Sequence, residues 1–96
     1  MTVWRHRDDV AWTPGNDRVV VLDLRRPNEP GPMALEGTAG TIWQSIDGVR
    51  TVEQVVAAVA ESYGLEAHQV ERDVAAFVDE LVGRDLLQRV EHASAE

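Results

Sequence analysis

The feature of this chain that most constrains its fold is a run of apolar residues at helical spacing across residues 35–87. Apolar side chains recur three or four positions apart, which is the pattern of a helix that buries one face. Gly48 and Gly64 interrupt this pattern, and glycine is the residue that most often ends a helix in the left-handed conformation. The pattern therefore predicts three amphipathic helices, at residues 37–46, 51–63 and 67–82.

The ends and faces of these helices carry further signals. Thr38 is positioned to cap the first helix, and Thr51 with Gln54 has the form of a capping box at the start of the second. In the third helix, Asp73 and Glu80 lie together on one flank of the apolar stripe, because positions seven apart return to the same face.

Three short segments ahead of the helices favour β-strands. Residues 18–24 (RVVVLDL) are β-branched and apolar, and shorter candidates lie at 10–13 and 33–35. Pro30 and Pro32 lack a backbone N–H, so we expect the third strand at a sheet edge. Strands followed by helices predict an α+β fold, with a three-stranded antiparallel sheet followed by three helices in a winged helix-turn-helix-like arrangement.

The length of 96 residues suits one domain. We expect residues 1–90 to form it and residues 91–96 to be a flexible C-terminal tail. The N-terminus lacks the apolar run of a signal peptide, and the chain has no apolar segment long enough to span a bilayer. We therefore expect a cytoplasmic protein that does not contact membranes.

Composition limits the chemistry that the chain can perform. It contains no cysteine, which excludes a disulfide framework, a cysteine nucleophile and a cysteine-ligated zinc site. His6, His68 and His92 are far apart and match no metal-binding spacing, so we expect all of them to be exposed and inert. We expect no catalytic residues, no metal and no cofactor, and hence a binding module instead of an enzyme.

The distribution of charge argues against nucleic acid as a partner. The formal net charge is −8, and residues 51–96 hold three Arg against ten Asp and Glu. The third helix, which would read DNA in a winged helix, sets Glu71, Asp73, Asp79 and Glu80 against Arg72 alone. Its acidic surface would repel a phosphate backbone. A winged-helix nucleic-acid-binding protein is therefore the disfavoured alternative.

The edge strand at 33–35 has two interpretations. Prolines near an edge are an ordinary protection against aggregation. An edge can equally accept an incoming strand, with the backbone giving affinity and adjacent pockets giving specificity. The sequence pattern alone does not choose between these, nor between a peptide and a second protein as the incoming partner. A protein-interaction adaptor that uses the same edge remains open.

Three motifs together resemble a known family. They are the L-x-x-T-A-x-x-I-W run from Leu35 to Trp43, the Asp47–Gly48 turn, and the V-x-x-D-V run that ends at Val74. Over residues 8–90 the chain looks like the PqqD-like family, the precursor recognition elements of pathways that make ribosomally synthesised and modified peptides. It is most similar to the stand-alone leader-binding proteins of lasso-peptide biosynthesis.

The resemblance implies how such a chain works. The leader segment of a precursor peptide adds as an antiparallel strand on the third strand, in the groove beside the third helix. The domain has no catalytic role or cofactor, and it presents the precursor to a leader peptidase and a cyclase. The residues expected to bind the peptide are Gly31, Met33, Ala34 and Leu35 from the strand, and Asp73, Ala76, Phe77 and Glu80 from the helix.

Specific roles follow for four of these side chains. Met33 and Phe77 are expected to bury apolar anchors of the leader. Asp73 and Glu80 are expected to attract its basic residues and to influence association rate and register more than affinity.

Overall fold

The computed structural model describes residues 2–15, 18–26, 28 and 31–90. The expected tail at 91–96 and the prolines at 27 and 30 lie outside these residues. The elements, numbered along the chain, are β1 (Trp4–His6), β2 (Val10–Gly15), β3 (Arg18–Asp23), β4 (Met33–Glu36), α1 (Thr38–Ser45), α2 (Val52–Tyr63), α3 (Ala67–Gly83) and β5 (Leu87–Arg89).

The predicted sheet is present, with β3 at its centre. β2 and β4 pair with β3 on either side, both antiparallel. Val19 and Val21 of β3 are buried while Arg18 and Val20 are more exposed, as expected for a strand with one face on the core. Val19 lies opposite Leu35 and Val21 opposite Met33, which fixes the register of β4. Strands and helices together confirm the α+β fold.

A second sheet was not predicted. β1 and β5 form a two-stranded antiparallel ribbon in which Trp4 lies opposite Arg89 and His6 opposite Leu87. Each strand has three residues and mixes charged with apolar side chains, so neither shows a clear two-residue period. The ribbon joins the two ends of the described chain and closes the domain beside α3.

The helix starts agree with prediction in one case and differ in another. Thr51 accepts from the backbone N–H of Gln54 at 3.2 Å, and the Gln54 side chain accepts from the Thr51 N–H at 2.8 Å, which confirms the capping box of α2. Thr38 does not cap α1. Gly37 occupies the cap position with φ 61°, so no side-chain hydrogen bond caps α1. Thr38 instead forms the first helical turn.

The core lies between the main sheet and the three helices, and Trp43 of α1 is its largest fully buried side chain, with 0 % exposed. The close approach of α1 to β4 depends on Gly40, because a Cβ there would lie 2.9 Å from the carbonyl oxygen of Leu35. Glycine at this position lets the helix backbone lie directly on the edge strand.

His6 is the one histidine for which the expectation of exposure is wrong. Its ring stacks on Trp43 at a centroid distance of 3.9 Å, and its Nε2 lies 2.9 Å from the Trp43 carbonyl oxygen. Burial lowers the pKa of His6 below 6.5, although the hydrogen bond opposes this. His6 is therefore a neutral donor inside the fold. His68 is exposed as expected, and His92 lies outside the described residues.

Candidate peptide-binding site

The edge of the main sheet at β4 is open. β4 is the last strand in the order β2-β3-β4, so within the described chain it has a hydrogen-bonded neighbour only on the β3 side. Every second residue of such a strand directs its backbone N–H and C=O outward. β4 follows Gly31, whose φ of 86° is one that L side chains rarely adopt, and this glycine turns the chain into the strand.

The side chains of β4 divide between two faces. Met33 and Leu35 point toward the helices, and Ala34 and Glu36 point to the opposite, exposed face. Leu35 is 7 % exposed and belongs to the hydrophobic core. Of the predicted strand residues, only Met33 therefore offers a side chain to the space beside the edge. Ala34 and Leu35 can contribute through their backbone groups alone.

The predicted residues of α3 share one flank. Asp73, Phe77 and Glu80 are four and three positions apart, which places them along one ridge of the helix. Phe77 is half-buried and packs against the core, while Asp73, Ala76 and Glu80 are exposed. Phe77 therefore forms the floor of this flank, and the polar residues and Ala76 form its outer part.

A cavity of about 260 Å³ lies where the start of β4 faces the end of α3. It is lined by Val21, Asp23, Arg26, Gly31, Met33, Gly83, Arg84 and Leu86. Gly31 and Met33 were among the predicted residues. The residues from β3 and from the end of α3 were not. Sequence periodicity places a residue on a helix face, but it does not show which turn of α3 lies opposite β4.

A second cavity, of about 570 Å³, lies at the other end of β4. It is lined by Gly15, Arg18, Glu36, Gly37, Gly40, Thr41, Gln44 and Tyr63. The two cavities thus border the open edge at both ends. β2, the opposite edge of the sheet, contributes only Gly15 to them and contains Pro14, which cannot donate to a ladder.

The charges around the first cavity are largely paired. Glu80 accepts from Arg84, the residue directly after α3, at 3.2 Å. Arg26 lies 3.3 Å from Asp23, and Arg25 donates to both oxygens of Asp23 at 2.9 and 3.0 Å. Hydrogen bonding from Arg25 lowers the pKa of Asp23 to about 2. The site at this end is therefore a mainly apolar recess with a neutralised rim.

The described residues offer little for other chemistry. They contain no cluster of three or more His, Asp or Glu side chains placed to ligate a metal ion. None of the helices in the described part of the chain has the length and apolarity to cross a bilayer. The exposed acidic residues of α3 also make the helix a poor surface for a phosphate backbone.

None of the predicted α3 residues lines either cavity. An open strand edge with a recess between it and the end of a helix is the arrangement by which small domains bind an extended peptide as an added strand. The family model described as coenzyme PQQ synthesis protein D (PqqD) matches residues 18–87, and this chain belongs to that family. Among curated protein sequences, none matches the chain.

A solved structure gives the same result for the fold. TbiB1 in complex with the TbiA(beta) leader peptide superposes with a TM-score of 0.74 and is 26 % identical in sequence. The similarity covers 88 % of this chain and 94 % of TbiB1. The chain is thus similar over nearly its whole length to a protein that has been seen with a leader peptide.

Proposed function

We propose that this protein binds the leader segment of a ribosomally synthesised precursor peptide by adding it as a strand to β4. The observation that carries the proposal is the open edge of β4, which begins at a recess between the sheet and the end of α3. Membership of the PqqD family and similarity to TbiB1, whose structure contains a leader peptide, support it.

The geometry favours an antiparallel leader strand. β2, β3 and β4 are all antiparallel, and sheets of one type are over-represented among proteins. A strand antiparallel to β4 would run from the Glu36 end toward the Met33 end. Its side chains that face the helices would meet Met33 and the Phe77 flank of α3, and those near its C-terminal end would enter the recess beside Gly83.

The direct test is fluorescence anisotropy of a labelled synthetic leader, titrated with the purified protein, where the leader comes from a short precursor gene identified by a search of the genomic neighbourhood. Saturable binding that is lost when the leader is scrambled is the expected result. The TbiA(beta) leader serves as a comparison for specificity. Absence of binding to the cognate leader contradicts the proposal, and the β4 edge would then be examined as a contact for a second protein.

Strand addition has a signature that leaves the protein unaltered. Along an antiparallel strand, only every second residue directs its backbone N–H toward the same neighbouring strand. Single N-methyl substitutions along the leader should therefore weaken binding with a period of two. Losses at consecutive positions, or at none, would show that the leader binds through side chains and not as a strand.

Met33 provides a test of the recess. Met33→Ala removes an apolar wall of the recess and should weaken leader binding about tenfold, since one enclosed apolar contact contributes ~1–2 kcal/mol. Val49→Ala is the matched control, because Val49 is 77 % exposed and lies in the turn between α1 and α2. Equal affinities for the two variants would remove Met33 from the site.

We further propose that the protein is an adaptor without catalytic activity of its own, which presents the bound precursor to a leader peptidase and a cyclase. Full-length precursor incubated with the purified peptidase should be cleaved faster when this protein is added. The same addition should have no effect on a precursor whose leader is N-methylated at a position that abolishes binding. An equal acceleration of both would refute presentation.

A further inference from the structure

An arginine outside the recess connects its two walls. Arg25 follows β3, and its guanidinium contacts both Asp23 and Asp85. It donates to the Asp23 carboxylate through Nε and Nη2 at 2.9 and 3.0 Å. It donates to the Asp85 carboxylate through Nη1, and to the Asp85 backbone carbonyl through Nη2, both at 2.7 Å. We call this set of contacts the Arg25 bridge.

The two carboxylates belong to opposite sides of the recess. Asp23 is the last residue of β3 and lines the recess directly. Asp85 lies in the turn after α3, between Arg84 and Leu86, which both line it from the other side. The Arg25 bridge therefore spans from the sheet to the end of the helix, around the space into which a leader side chain would insert.

The turn that Arg25 contacts has an uncommon backbone conformation. Asp85 has φ 62°, a left-handed value that residues with a side chain adopt uncommonly. Arg25 binds this residue through both its carboxylate and its carbonyl oxygen, so the bridge stabilises the turn in that conformation. Arg7 adds a longer contact to the Asp85 carboxylate, at 3.7 Å.

Resting on the function proposed above, we propose that Arg25 is a positioning residue for leader binding. By joining Asp23 to Asp85, it sets the distance between the sheet and the end of α3, and with it the width of the recess. Arg25 itself does not line the recess, and its effect on the leader is transmitted through the turn at residues 84–86.

Asp85→Gly separates positioning from stability. The substitution removes the Asp85 carboxylate that Arg25 binds and keeps the backbone carbonyl that it also binds, and glycine adopts the left-handed φ without the steric cost of a side chain. Loss of the ion pair lowers the stability of the fold, and relief of the left-handed backbone raises it, so the two effects oppose each other. Arg25→Gln is the less selective partner variant, because it also leaves the buried Asp23 carboxylate without its main donor.

The experiment measures anisotropy titrations of the labelled cognate leader alongside thermal melting for the wild type, Asp85→Gly, Arg25→Gln and the double variant. Arg50→Gln is the control, because it removes an exposed arginine–carboxylate pair of 2.9 Å at the turn between α1 and α2. Asp85→Gly should raise Kd about three- to tenfold, which lies within the range that substitutions outside a binding contact produce, and it should shift Tm little. The double variant should bind no more weakly than Arg25→Gln alone.

The outcomes separate this inference from the function on which it rests. Failure of the wild type to bind the leader refutes the proposed function, and the role of Arg25 with it. Wild-type binding with an unchanged Kd for both Asp85→Gly and Arg25→Gln refutes the positioning role alone. If affinity falls only in proportion to Tm, the Arg25 bridge acts on stability, and the positioning role is refuted. The same conclusion follows if the losses of affinity add fully in the double variant.

Discussion

Gly40 offers the sharpest test of how the fold presents its open edge. A Cβ at Gly40 would lie 2.9 Å from the carbonyl oxygen of Leu35 and 3.5 Å from a methyl group of Val19. The first contact is with backbone, so no side-chain rotation relieves it, and α1 must move away from β4 by about half an ångström to restore ordinary van der Waals contact. Forcing an extra methyl into a packed interior costs ~1–3 kcal/mol.

Replacing glycine by alanine inside a helix also has a benefit, which must be subtracted. Alanine stabilises a helix interior by about 1 kcal/mol relative to glycine. Because the clash is with backbone, the upper part of the overpacking range applies, about 2–3 kcal/mol, and the net effect of Gly40→Ala is a loss of about 1–2 kcal/mol. For a domain of this size, this loss lowers Tm by roughly 4–16 °C. Chemical denaturation with urea and a thermal melt followed by circular dichroism measure both quantities.

Gly83 is the matched control, since it is also a helical glycine but a Cβ there meets nothing within 4 Å. Gly83→Ala should leave Tm unchanged or raise it by a few degrees, because only the helix propensity changes. An unchanged or raised Tm for Gly40→Ala would refute the reasoning, because it would mean that α1 is not held against β4 at backbone contact.

Two further predictions concern pH. Burial lowers the pKa of His6 below 6.5, so the unfolded chain binds its proton more readily than the folded one, and stability should fall as pH drops below 6.5. His6→Gln should reduce this fall, measured as the difference in unfolding free energy between urea melts at pH 8 and pH 5.5. The pKa of Asp23 is lowered from 3.8 to about 2, so its contribution is present above pH 3.8 and is lost toward pH 2. Asp23→Asn should destabilise the protein by about 2 kcal/mol at neutral pH and show a shallower acid transition, and an unaltered transition would contradict the assignment.

The helices and the main sheet were predictable because their signals are local. The capping box at Thr51, the stop at Gly64 and the apolar stripe of α3 each lie within a few residues and appear where expected. The edge position of β4 followed from prolines that cannot donate to a ladder. Family resemblance added the function, which the periodicities alone left open.

The rest depends on contacts between distant parts of the chain. The β1–β5 ribbon pairs Trp4 with Arg89, and nothing in either three-residue segment signals the other. The stacking of His6 on Trp43 likewise joins the ribbon to α1 across most of the fold. The local sequence around Arg25 carries no signal of its contacts, because they are made with a turn that follows it by sixty residues.

The same dependence on distant contacts applies to the side chains of the predicted site. Glu80 is predicted to attract a basic leader, and in the fold its carboxylate also pairs with Arg84 one turn later. Leu35 appeared suitable for a pocket because it is apolar, but the register of β4 with Val19 turns it into the core. The edge of β4 offers its free backbone groups and a recess whose apolar lining includes Val21, Met33 and Leu86. In the proposed binding mode, main-chain pairing would give the affinity, and one or two apolar side chains would give the specificity. On this reasoning, leaders should be selected by the shape that enters the recess more than by their charge.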